Sequence, residues 1–139
     1  MEPATESIFD KIIKREIPAE IVYEDDTTIA FLDIHPNNPG HTLVVPKKPF
    51  KNLFDMDEAA LTNLIKAVQK VAIAIKDGMR ADGINIAMNN DAAAGQIVFH
   101  AHMHVIPRFK DDGFKHFPTK EYAPGEAAVI AEKIRTQLP

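Results

Sequence analysis

Two rhythms of apolar residues run through the chain. In "SIFDKIIKREIP" (residues 7–18), Ile8, Phe9 and Ile12 fall on one helical face, and Ser7 is placed to cap it. The period then shortens to two. "EIVYED" (20–25) and "TIAFLDI" (28–34), rich in β-branched and aromatic residues, predict a hairpin about an "EDDT" turn, and "HTLVVP" (41–46) predicts a third strand punctuated by Gly40. From Glu58 to Ala81 the three-four spacing returns, with Leu61, Leu64, Ile65, Val68, Ala72, Ile75 and Met79 on one face. Asp55 and Glu58 read as its capping box, and Gly83 as its stop. "INIAMNN" (84–90) predicts a strand, "DAAAGQ" a loop, and the tail from Pro124 to Pro139 a last helix with Val129, Ile130 and Ile134 on its apolar side. Strands, a long helix and a returning pair of strands predict an α+β domain with an antiparallel sheet, spanning residues 1–139 without a linker.

One stretch asks for chemistry as well as structure. "FHAHMHVIPR" (99–108) carries His100, His102 and His104, half of the six histidines present. Residues two apart on a strand share a side. A strand here would place the imidazoles on one face and Phe99, Ala101, Met103 and Val105 on the other, toward the core, with Pro107 at its end. Three readings of the row compete. It is the polar face of a half-exposed strand, or part of a metal site, or a nucleophile with tuning neighbours. His100 and His104 lie roughly 13 Å apart at strand rise, too far to reach one ion together. Two of the three would need outside donors, for which Asp91, Asp111 and Asp112 are candidates. The preceding "AAAGQIVFH" supplies Gly95 and small residues, suiting backbone N–H groups turned toward an anion such as phosphate.

Composition removes several classes. Sixteen Lys and Arg against twenty Asp and Glu give a net charge of −4, unlike a general nucleic-acid binder, and "PKK" at Pro46–Lys48 is too short to alter that. With no cysteine, disulfides, thiol catalysis and thiolate zinc sites are excluded. Neither a signal peptide nor a membrane-spanning run is evident, so a soluble cytoplasmic protein without membrane partners is expected.

Four colinear blocks, "SIFDKIIKREIPAEIVYEDD", "AFLDIHPNNPGHTLVVPKK", "NNDAAAGQ" and "GQIVFHAHMHVIPR", resemble the histidine triad family, in particular its Hint-like nucleotide-binding branch. The resemblance covers about Ser7 to Arg108. It implies about five antiparallel strands per subunit, a homodimer whose sheets join, and hydrolysis of purine nucleoside 5′-phosphoramidates or related acyl and aminoacyl adenylates, with no cofactor. It implies His102 as nucleophile, His100, His104 and His41 beside it, and Asp33 at the ribose. Ile8, Phe9, Ile12, Ile17, Phe31, Leu32 and Ile34 would form the base pocket, with Asn89, Gly95 and Gln96 near the phosphate. A neutral imidazole, with a normal pKa of about 6.5, attacks through one nitrogen while an acceptor holds the N–H of the other.

Two departures stand out: some members carry a zinc-binding Cys-x-x-Cys pair where this chain has Ser7 and Asp10, and several have Ser where Ile97 stands. His35 and His116 match no role and are expected at the surface. Alternatives within reach are a dinucleoside polyphosphate hydrolase and a nucleotide-binding regulator with little turnover. Gln in place of the third histidine marks a transferase branch, which His104 speaks against.

Overall fold

The computed structural model describes residues 6–139, so the first five residues of the predicted domain lie outside the described residues. Helix α1 (Ile8–Ile13) begins at Ser7, whose hydroxyl accepts from the Asp10 N–H while the Asp10 carboxylate accepts from the Ser7 N–H. Strands β1 (Ile21–Glu24) and β2 (Thr28–Leu32) form the hairpin, closed by Asp25, which accepts from the N–H groups of Thr27 and Thr28. Strand β3 (Thr42–Pro46) leads to the long helix α2 (Glu58–Gly78), then β4 (Gly83–Ala87), β5 (Met103–Arg108) and α3 (Glu126–Arg135). All pairings are antiparallel and the sheet order is β1-β2-β3-β5-β4. This is the α+β architecture expected from the sequence.

Alternation along the strands splits the core in two. Ala30, Val44, Ala101 and Val105 pack beneath Leu64, Ala67, Val68 and Val71 of α2. Ile29, Phe31, Leu43 and Val45 turn to the other face and meet Phe9 and Ile12 of the much shorter α1. Helix α3 buries no residue.

Several boundaries differ from the sequence reading for identifiable reasons. Asp57, not Asp55, caps α2 by accepting from the Ala60 N–H, while Asp55 is committed to a preceding 3-10 turn, where it accepts from the N–H of Asn52. The helix stops before Gly83: Arg80 takes φ +52°, and the Ala81 N–H folds back onto the Lys76 carbonyl. Gly83 instead opens β4. The β2 strand ends at Leu32, leaving Ile34 outside it and 79% exposed.

The histidine segment differs most. Regular pairing of β5 starts only at Met103, because its partner β3 ends in Pro46, which has no N–H to offer a ladder. Residues 99–102 are held by other means: the Ala101 N–H donates to the Phe50 carbonyl, and the His100 ring donates to the Pro46 carbonyl. Phe99 is 48% exposed rather than in the core. The strand also runs on through Pro107, which pairs with Ile84 of β4 beyond Thr42, the first residue of β3.

Candidate active site

The face under α1 collects the imidazoles. His100 and His102 are buried, His104 is half-buried, and His41, just before β3, is buried beside them. The rings of His102 and His104 lie 5.1 Å apart, as do those of His104 and His41. Phe9 sets its ring edge-on to His102 at 4.9 Å and to Phe31 at 5.5 Å. The predicted imidazole face therefore forms even though two of its three histidines, His100 and His102, lie outside the regular strand.

Hydrogen bonds fix where each proton sits. An N–H only donates and a carbonyl only accepts. His102 Nδ1 is 2.7 Å from the His100 carbonyl oxygen, so Nδ1 carries the proton and the Nε2 lone pair is left free. The Asn37 N–H donates to His41 Nδ1 at 3.0 Å, which puts the His41 proton on Nε2, from where it is donated to His104 Nδ1 at 2.9 Å. His104 in turn holds its proton on Nε2. The site thus presents a bare nitrogen on His102 and an N–H on His104.

His100 faces away from this pair. Its Nε2–H bonds to the Pro46 carbonyl at 2.8 Å, and its Nδ1 lies 3.2 Å from the Ser7 hydroxyl and 3.4 Å from an Asp10 oxygen. Ser7 was legible as a helix cap; the contact that it and Asp10 make with His100 was not, because nothing local signals a partner ninety or more residues away.

Burial keeps His41, His102 and His104 neutral. It lowers the pKa of His102, helped by the neighbouring His100 and opposed by the carbonyl bond and the Asp33 carboxylate. It takes His104 down from 6.5 to about 4, reinforced by His102 and His41 and again opposed by Asp33. His41 is lowered by burial against the pull of Asp33. Asp33 sits just past β2 with one oxygen accepting from the His35 N–H and the other 3.7 Å from His41 Nε2.

Asp33, His41 and His104 also place three potential ligand atoms within 4.8 Å of one another. The 2.9 Å between the two nitrogens is a hydrogen bond; around a tetrahedral zinc they would stand about 3.3 Å apart. Of the outside donors, Asp91 is engaged with Asn52 and Asp112 with Arg108, while Asp111 is exposed.

The remaining predicted residues divide. Phe9, Ile12 and Phe31 are buried on the histidine face with Ile17 packed against them, while Ile8 and Ile34 are exposed. Leu32 turns the other way, bordering an apolar cavity with Val71 and Ile75 under α2, as strand alternation after Phe31 requires. Gly95 adopts φ +97°, a backbone conformation that favours glycine, and the Asn89 amide nitrogen lies at ordinary contact distance, 3.5 Å from where a Cβ would stand. Gln96 is buried with its amide fully used: it accepts from Asn52 and the Asp91 N–H and donates to the Lys51 and Val98 carbonyls. The N–H groups of Gly95 and Gln96 bond within the loop, to Ala92 and Asp91. These two residues shape the loop rather than offer donors to an anion. Ile97 is exposed, as are His35 and His116. Among the described residues no helix is long and apolar enough to cross a membrane.

A sheet carrying buried, neutral, hydrogen-bonded histidines under a short helix defines a histidine-triad site. The chain belongs to the HIT domain family, whose model matches residues 14–111. It is 46% identical to Protein hit of Bacillus subtilis over 142 aligned positions, covering 99% of this chain and 98% of that one. A crystal structure of a HIT family member from Bacillus subtilis superposes with a TM-score of 0.90 at 40% identity, covering 97% of this chain and 99% of that chain. Adenylylsulfatase HINT3 of Arabidopsis thaliana is 37% identical over 76% of this chain and 53% of its own length. The family places the chain among nucleotide-binding hydrolases and transferases.

Proposed function

We propose that the protein hydrolyses purine nucleoside 5′-phosphoramidates or acyl and aminoacyl adenylates through a nucleotidyl-histidine intermediate. The observation that carries this reading is the free Nε2 of His102, fixed by the 2.7 Å bond from its Nδ1–H to the His100 carbonyl. A neutral imidazole so held is a nucleophile without needing a base to deprotonate it. Its Nε2 attacks the α-phosphorus and the bond to the leaving group breaks; a leaving nitrogen collects a proton, whereas the carboxylate of an acyl adenylate departs as the anion. Water then cleaves the phosphorus–Nε2 bond, releasing the nucleoside monophosphate and restoring His102. The Nε2–H of His104 is available to a phosphoryl oxygen as negative charge builds there.

Phe9, Ile12 and Phe31 give the base an apolar wall, and the Asp33 oxygen that takes no bond from the His35 N–H suits a ribose hydroxyl. The adenylylsulfatase name of the Arabidopsis relative favours adenylates as the class attacked. A homodimer joined along exposed β4, where Ile86 is open, completes the reading; light scattering should give about twice 15.4 kDa, and a monomer at micromolar concentration contradicts it. The main test is incubation with adenosine 5′-phosphoramidate and, separately, a diadenosine polyphosphate, with products resolved by chromatography. Rapid turnover of the first, with an adenylyl adduct on the His102 peptide after an acid-free quench, is expected. Preference for the polyphosphate would move the protein to the alternative hydrolase class, and no adduct on His102 would overturn the mechanism.

A further inference from the structure

The proton order in the His41–His104 pair originates in a turn that is itself held from outside the site. Asn38 donates both amide hydrogens, to the Pro107 carbonyl at 2.8 Å and to an Asp112 oxygen at 3.1 Å. Its backbone carbonyl accepts the His41 N–H at 3.0 Å. Asp112 is itself immobilised: it accepts from Arg108 at 2.7 and 3.0 Å and from the N–H groups of Phe109 and Phe114. Arg108 beside it keeps the carboxyl well below the usual carboxylate range, so it stays an acceptor. Below the turn, Gly40 adopts φ +99° with the position of a Cβ only 3.0 Å from Met79, which seats the turn against the end of α2.

From this geometry we propose that Asn38 and Asp112 are positioning residues for the reaction: they hold the 37–41 turn so that the Asn37 N–H caps His41 Nδ1, which keeps the His41 proton on Nε2 and the His104 proton on its own Nε2. This rests on the phosphoramidase-type reading only for its kinetic consequences. Without the cap, either nitrogen of His41 can carry the proton. In half of those arrangements a nitrogen lone pair faces His104 Nδ1, and His104 must reverse its own proton to match. The donor offered to the phosphoryl group is then lost. The titratable groups facing His41 are His104 at 2.9 Å and Asp33 at 3.7 Å, with His102 beyond His104; Met79 and Pro107, packed under the turn, carry no charge.

The test uses the full chain, 15N-labelled in its imidazoles, as wild type, Asn38→Ala, Asp112→Asn and the double variant. Asn85→Ala serves as control: it cuts another bond of Arg108, at 2.6 Å, without touching Asn38. Wild type is expected to show His41 protonated at Nε2 with an unprotonated Nδ1, and Asn38→Ala a mixture of both forms. kcat should fall on the order of tenfold, a fraction of what a placed proton donor contributes, with KM within about twofold. The acid limb of kcat should move to higher pH, because an uncapped Nδ1 accepts a second proton more readily. Asp112→Asn, which preserves the side-chain volume, should move every readout the same way by less. The double variant should be no worse than Asn38→Ala, since both act through one bond. A fall in kcat with the His41 nitrogen pattern unchanged would make the pair a mere loop fastener and overturn the proposal, as would wild-type behaviour of both variants. If wild type turns over none of the substrates, the functional reading fails, while the nitrogen pattern still decides the role of Asn38.

Discussion

The two faces of the sheet are built to different ends. On one, a 21-residue helix lies over Ala30, Val44, Ala101 and Val105 with Leu64, Ala67, Val68 and Val71, an almost wholly apolar contact. On the other, a six-residue helix contributes Phe9 and Ile12, and buried polar groups take up much of the remaining space: His41, His100 and His102, each hydrogen-bonded. Among the described residues no buried side-chain nitrogen or oxygen lacks a partner. The α2 face supplies stability through area removed from water. The α1 face gives up some of that area to hold imidazoles neutral, oriented and reachable. The division teaches that substitutions on the two faces should separate stability from turnover.

The largest expected effect tests that separation from the chemical side. His102→Ala should reduce turnover of adenosine 5′-phosphoramidate to background, a loss of at least about a thousandfold, while AMP binding by calorimetry survives. On the opposite face, Leu64→Ala should cost about 2–5 kcal/mol in urea unfolding, because a side chain 2% exposed leaves a cavity behind. Its kcat per folded molecule should stay near wild type. If Leu64→Ala lowers kcat as much as it lowers stability, the faces are not independent.

A smaller effect is expected at Asp33, where recognition meets the imidazoles. An ionised carboxylate accepting from a ribose hydroxyl contributes on the order of 1.5–3 kcal/mol, so Asp33→Ala should cost roughly 10- to 150-fold in kcat/KM. Removing the sugar hydroxyls instead should cost the same, and the two changes should not add. A variant that still prefers the ribose substrate over the dideoxyribose one as strongly as wild type does shows that Asp33 does not hold the sugar.

How much of this was legible in the sequence follows from the range of each interaction. Periodicity reports which face a residue lies on, and it placed His100, His102 and His104 together and Ala101 and Val105 opposite them. It could not report that the histidine segment lies alongside β3, whose final Pro46 leaves 99–102 without a ladder. Gln96 was legible as a residue near the site but not as a scaffold, because its four partners come from three separate stretches of chain. The Asn37 N–H on His41 is a backbone donor and leaves no trace in side-chain pattern. Leu32 was assigned to the pocket by resemblance alone, against the alternation that puts it under α2.

The smallest expected effect is a pH dependence of stability that the histidine face should impose and the α2 face should not. His41, His102 and His104 are held below their ordinary 6.5, His104 at about 4, chiefly by burial. A histidine with a depressed folded pKa takes its proton first in the unfolded chain. Stability is therefore full above about pH 6.5 and declines as pH falls toward about 4. For His104 the full difference corresponds to about 3 kcal/mol, which solvent screening of a half-buried ring reduces to on the order of 1–2 kcal/mol. The depressed carboxylates, Asp55 and Asp112 with an ordinary 3.8 and Glu24 with 4.5 among them, act mainly below about pH 5, which leaves an upper window from about 6.5 to 5 to the imidazoles. Urea unfolding across the upper window should show the decline, and His104→Gln should flatten it. Asp33→Asn should steepen it, because that carboxylate opposes the depression of all three rings. An Asp33→Asn protein less sensitive to acid than wild type would mean that the imidazoles are not what the low-pH window reports.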